Sequence, residues 1–153
     1  MSARILIVDD LPTSVKVLAA KLTSEYYDVI TAHDGPTALE TVEREKPDLV
    51  LLDVMMPGMD GFEVCRRIKG SPGTAHIPVV MVTALNDMRD RVNGLQAGAD
   101  DFLTKPLNDT MLFARVRSLV RMKRTFDQWY LHHPPSRDLG FAATPDLSQV
   151  DGS

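Results

Sequence analysis

The stretch from Leu49 to Gly61 reads LVLLDVMMPGMDG, and no other stretch limits the fold as tightly. Four apolar residues run directly into one carboxylate, Asp53, and a Pro57-Gly58 turn follows. A short continuous apolar run bounded by turn residues is the pattern of a strand buried on both faces, the kind found inside parallel sheets. In open α/β sheets, ligands gather at the carboxyl ends of the strands. Asp53 therefore reads as a site residue carried on a rigid strand. Alone, it would fit better the plainer role of opening the Pro57 turn. The rest of the chain decides against that role.

Arg4 to Val8 is a second apolar run, ending in Asp9-Asp10. Pro12 and Thr13 then open a helix with Val15, Leu18, Ala19 and Leu22 at helical spacing. Val29 to Ala32 is a shorter strand, and Asp34 and Pro36 are the N-cap and first-turn signals of a helix faced by Ala38, Leu39 and Val42. After the central strand, Phe62, Cys65 and Ile68 mark a third helix, ended by the Gly70-Ser71-Pro72-Gly73 break. Ile77 to Val82 is the fourth strand and runs into Thr83. Asp87 caps a helix whose apolar face is Met88, Val92 and Leu95, and Gly98 is its C-terminal glycine. Asp101 to Thr104 is the fifth strand, Lys105-Pro106 follows, and Asn108 or Asp109 caps a last helix beginning near Thr110. Strands alternating with helices through short connections predict βαβ units and one parallel sheet with helices on both faces.

A parallel sheet brings the strand ends to one edge. There the first strand supplies Asp9 and Asp10, the third Asp53, the fourth Thr83 and the fifth Lys105. Crowded carboxylates raise one another's pKa unless a cation neutralises them. A hard divalent ion such as Mg²⁺ takes oxygen ligands of this kind and keeps room for a phosphate oxygen. Lys105 offers a point charge and Thr83 a hydroxyl to a phosphoryl group, so the set suits positioning and charge stabilisation. Asp53, the lone carboxylate on the central strand, is the candidate nucleophile that would become an acyl phosphate. Any one of these residues has a structural explanation. The combination at four strand ends is far more specific.

Composition narrows the alternatives. The 153 residues suit one domain, and a net charge of −4 predicts no bulk attraction to nucleic acid or to an anionic membrane. No apolar run reaches the length of a membrane span, and the N-terminus lacks a signal-peptide pattern. The single cysteine, Cys65, cannot form an internal disulfide and fits a reducing cytosol, so the expected location is cytoplasmic. Its expected role is that of a small buried hydrophobe. From His132 onward, prolines and glycines replace any apolar period, and the segment reads as a disordered tail. His132 and His133 are adjacent and have no carboxylate or thiol partner at ligand spacing, so they are not read as a metal site.

These motifs resemble the receiver domain of two-component response regulators over about residues 2–123. The likeness rests on Asp9-Asp10, on Asp53 with Met56-Pro57-Gly58-Met59-Asp60-Gly61, on Thr83-Ala84 and on Lys105-Pro106. It implies a flavodoxin-like doubly wound five-stranded parallel sheet, order 2-1-3-4-5, with five helices. It further implies that Asp53 is the phosphoacceptor, that Asp9, Asp10, Asp53 and the backbone carbonyl of Met55 hold Mg²⁺, and that Thr83 and Lys105 hold the phosphoryl oxygens. Asp9 would act largely through water. The Lys105–Pro106 bond would be cis, and Thr83 and Phe102 would be the switch pair. The residues flanking the water that hydrolyses the acyl phosphate would be Met55 and Leu85, neither able to orient it, so self-dephosphorylation is expected to be slow.

A closer likeness is to the first receiver of diguanylate cyclase response regulators. It is carried by Glu25-Tyr26-Tyr27, Gly35-Pro36-Thr37-Ala38-Leu39 and the run from Leu112 to Leu119. These 153 residues contain no cyclase or DNA-binding domain. The expected protein is a stand-alone switch rather than an enzyme, loaded by a sensor histidine kinase or histidine phosphotransfer protein and acting on a downstream protein target. The alternative is a pseudo-receiver that binds partners without taking phosphate. We expect a receiver at 1–123, a helical extension at 124–131 and the tail at 132–153. Leu112, Val116, Leu119, Met122, Phe126 and Trp129 recur at helical spacing beyond the span one domain can cover, which predicts an extended last helix and a homodimer through it.

Overall fold

The computed structural model describes residues 2–84 and 87–133. Leu85 and all but the first two residues of the expected tail lie outside the described residues. Five strands, β1 (Arg4–Val8), β2 (Asp28–Ala32), β3 (Leu49–Leu52), β4 (Val79–Thr83) and β5 (Asp101–Thr104), form one parallel sheet in the order β2-β1-β3-β4-β5. The helices are α1 (Pro12–Ser24), α2 (Gly35–Glu45), α3 (Gly61–Gly70), α4 (Met88–Gln96) and α5 (Asp109–His132). The alternation predicts the parallel sheet with helices on both faces, and the flavodoxin-like strand order is the one the receiver resemblance implies.

Alternation along the buried strands divides the core in two. Leu6, Val8, Val50, Leu52, Val79 and Met81 face α2 and α3 through Ala38, Val42, Val64, Cys65 and Ile68. Ile5, Ile7, Leu49, Leu51, Val80 and Val82 face α1 and α5 through Val15, Leu18, Leu22, Leu112 and Val116. The run Leu49–Leu52 is buried at every residue because both faces are covered. Helix starts follow local chemistry: Asp34, Asp60, Asp87 and Asn108 each accept a backbone N–H three residues on. Gly98, at φ +96°, ends the α4 segment in the left-handed region that glycine adopts without strain.

The differences from the sequence reading that matter for the site and its surface lie in β4, α4 and α5. β4 begins at Val79 rather than Ile77, because Pro78 has no N–H to give the ladder. α4 does not bury Met88, Val92 and Leu95, which are 75%, 41% and 68% exposed. Gly94 and Ala97 face inward instead, since the half-buried ring of Phe102 fills the space beneath the helix. α5 continues through His132, one residue past the expected boundary, and stops where His133 precedes Pro134, a position that disfavours helical backbone.

The far end of α5 is partly tied to the domain. Phe126 stacks on His76, in the segment leading to β4, at 4.8 Å between ring centroids and 20° between planes. Lys123 is buried, with Nζ 2.7 Å from Asp127 and 3.7 Å from Asp48. Met122, Trp129 and Leu131 remain well exposed. His133 stacks on Trp129 at 4.4 Å.

Candidate functional site

The strand order reverses at β1: the chain leaves it for β2 on one side and returns to β3 on the other. The crevice at the carboxyl ends of β1 and β3 is thus the place where this sheet offers a ligand site. Asp9 follows β1 and Asp53 follows β3, and the two strands run in register from Ile5–Leu49 to Val8–Leu52. The main chain pins both residues. Asp53 N–H donates to Val8 O at 2.9 Å, and Asp9 N–H donates to Ala32 O at 3.2 Å. Asp9 Oδ1 also accepts the Leu11 N–H at 2.9 Å, which fixes its carboxylate at the mouth of α1.

The fold brings Asp9, Asp10 and Asp53 together, each offering an oxygen within 4.8 Å of the others. Asp9 and Asp53 are buried, at 5% and 6% exposure. Burial pushes the Asp53 carboxyl up to about 6; the Lys105 ammonium opposes the rise and the Asp9 carboxylate adds to it. Lys105 reaches across from the end of β5, with Nζ 3.2 Å from Asp9 Oδ2. The Lys105–Pro106 bond is cis. Thr83 ends β4, fully buried and opposite Thr104 on β5. Phe102 lies two residues earlier on β5, opposite Met81, so alternation places Thr83 and Phe102 on one face of neighbouring strands. The Met55 side chain is 60% exposed beside Pro57, Asp60 and Phe62.

Hard oxygen donors converging on a desolvated carboxylate fit a divalent cation such as Mg²⁺. The three carboxylates would carry excess negative charge that Lys105 alone cannot balance.

Other parts of the site were not read from the sequence. Gly61 opens α3 directly behind Asp53, and a Cβ there would lie 2.3 Å from the Asp53 carbonyl oxygen. Only a residue without a side chain lets the helix start so close to the strand end. A cavity of about 270 Å³ opens beside Asp53 and is lined mainly by apolar groups, with Thr13, Ser14 and Lys21 of α1 on one wall and Leu107 on another. Lys21 bonds Asp109 of α5 at 2.8 Å near its mouth. The recurrence of Ser14, Val17 and Lys21 at helical spacing was the available signal for this wall.

A doubly wound α/β sheet with an acidic cluster at its switch point, a lysine across from it and a buried threonine between them defines a class, and the comparisons agree with it. Residues 5–117 match the response regulator receiver domain, and the chain belongs to that family. Response regulator PleD of Caulobacter vibrioides is 59% identical over 152 residues, covering 99% of this chain and 33% of PleD. The regulatory protein PhoP for alkaline phosphatase synthesis, from Bacillus subtilis, is 45% identical over 121 residues, covering 79% of this chain and 50% of PhoP. The chain therefore spans a third to a half of the length of these curated relatives. Among solved structures, the receiver domain of a Pseudomonas aeruginosa sensor histidine kinase superposes with a TM-score of 0.73 at 32% identity, covering 78% of this chain and 98% of that one. It was solved with a magnesium ion in its active-site cleft. Among the described residues, no helix is long and apolar enough to cross a membrane.

Proposed function

We propose that this chain is a phosphorylation-controlled switch in which Asp53 takes a phosphoryl group from a phosphohistidine on a sensor histidine kinase or histidine phosphotransfer protein. The observation that carries the reading is the convergence of Asp9, Asp10 and Asp53 within 4.8 Å, with Lys105 reaching Asp9 from the end of β5. An oxygen of the Asp53 carboxylate attacks phosphorus, the P–N bond to the donor imidazole breaks, and the product is an acyl phosphate. Asp9, Asp10, Asp53 and the Met55 carbonyl would hold Mg²⁺, which neutralises charge on the transferring group when bound. Lys105 exchanges its Asp9 partner for a phosphoryl oxygen, and the Thr83 hydroxyl donates to another. The burial that raises the Asp53 pKa also keeps bulk water from the acyl phosphate.

The signal leaves through protein contact. Asp53 phosphorylation draws Thr83 toward the phosphoryl group, and Phe102 rotates into the space vacated, so that the α4–β5 surface has two states. We place the protein in the cytoplasm and assign it a homodimer through α5 and a downstream protein target. The test is intact mass after incubation with a small-molecule phosphodonor. We expect one added phosphoryl group with Mg²⁺ present, and none with EDTA or in Asp53→Asn. Unchanged loading in Asp53→Asn would refute the assignment.

A further inference from the structure

The ring of Phe102 is held from α4 by contacts that a mere surface helix would not need. Arg91 places its guanidinium carbon 5.2 Å from the centroid of the Phe102 ring. The same guanidinium donates from Nη2 to Thr104 Oγ1 at 3.3 Å, so Arg91 spans the ring and the end of β5 at once. One turn on, Gly94 is the slot for that ring: a Cβ there would lie 2.6 Å from Phe102 Cε2 and 3.1 Å from Cδ2. A ring seated against a glycine and roofed by a guanidinium cannot leave that seat without losing both contacts.

We propose that Arg91 is a positioning residue of the switch, a clamp from α4 that keeps the Phe102 ring in the Gly94 slot and opposes its rotation toward Thr83. The inference rests on the reading of Thr83 and Phe102 as the switch pair. Its energetic content is linkage. Whatever holds the ring in the slot must be given up when the ring moves, so the clamp weakens binding of any group at Asp53 that draws Thr83 inward. The planar fork matters because Arg91 both stacks and donates. Lysine keeps the charge but not the combination.

The experiment titrates the full chain with beryllofluoride in Mg²⁺, and follows the backbone amide resonance of Gly94, which lies in the ring current of Phe102. Arg91→Ala should bind beryllofluoride roughly fivefold more tightly than wild type, the scale of one cation–π contact. Its Gly94 resonance, before any beryllofluoride, should already lie displaced toward the saturated wild-type position. Arg91→Lys should fall between the two. Gly94→Ala removes the slot instead of the roof and should also bind more tightly. Unchanged or weaker affinity in Arg91→Ala with an unmoved Gly94 resonance overturns the clamp. Should wild type fail to bind beryllofluoride, the phosphoacceptor reading falls, and the clamp is still decided by whether Arg91→Ala displaces the Gly94 resonance.

Discussion

Asp53→Asn tests the electrostatics of the site without any phosphate. Burial raises the Asp53 carboxyl from 3.8 to about 6. A carboxylate whose folded-state pKa is raised is a charge the fold would rather not hold. Relative to a permanently neutral residue, its ionisation costs nothing below the unfolded pKa. The cost appears as the pH rises from about 4 through about 6, and it is full above that. A rise of about two units corresponds to about 3 kcal/mol. The amide cannot reproduce both charge-assisted bonds that the Val54 and Met55 N–H groups give the carboxylate, so part of the gain is lost. About 1–2 kcal/mol of net stabilisation at pH 7.5 is the expected result.

The assay is thermal unfolding of both proteins in EDTA across about pH 4 to 8. For a chain of this size, about 1 kcal/mol moves Tm by about 2–4 °C. Asp53→Asn should melt about 3–6 °C above wild type at pH 7.5, and the gap should close as the pH falls below about 5. Added Mg²⁺ should raise the wild-type Tm at pH 7.5 and leave the variant nearly unmoved, because a ligand stabilises only the state that binds it. A variant that melts below wild type at pH 7.5, or a gap that does not change with pH, would refute the argument that ionised Asp53 is strained by burial.

Gly61→Ala should cost about 3 kcal/mol or more and abolish loading of Asp53, because the new Cβ meets backbone rather than a movable side chain; chemical denaturation and intact mass check the two effects. Met55→Asn should shorten the lifetime of the acyl phosphate severalfold by giving the attacking water a hydrogen-bonding neighbour, measured as phosphate loss after donor removal; an unchanged lifetime would show that this side chain does not govern the water. Met122, Trp129 and Leu131 are exposed on the outer part of α5, and we expect a dimeric mass at micromolar concentration that Met122→Glu/Leu131→Glu converts to monomer; a monomeric wild type refutes the dimer.

Much of the fold was legible because its signals are local. Leu49–Leu52 announces a strand covered on both faces, and Asp34, Asp87 and Asn108 announce helix starts, since an N-cap acts within a few residues of itself. The acidic cluster was legible for a different reason. Once the strands are parallel, their carboxyl ends must share an edge, so Asp9, Asp10, Asp53, Thr83 and Lys105 converge by topology rather than by any contact visible in the chain. What escaped depends on pairs far apart in sequence. The stack of Phe126 on His76 joins residues 50 positions apart, and it covers one side of a ring that periodicity alone would leave in solvent.

The inversion of α4 shows how such a pairing overrides a periodic pattern. Met88, Val92 and Leu95 have the spacing of a buried face, yet the helix turns them outward. Two bulky surfaces cannot both occupy the space above β5. The Phe102 ring is already there, and only Gly94 admits it. Turning Gly94 inward therefore places the larger side chains toward solvent and sets Arg91 above the ring. The exposed apolar stripe of α4 and the Arg91 clamp are two consequences of one packing choice. A change in the Phe102 rotamer would remove the reason for that choice, so if phosphorylation of Asp53 moves Phe102 as proposed, the orientation of α4 and the surface it presents should respond to the same movement.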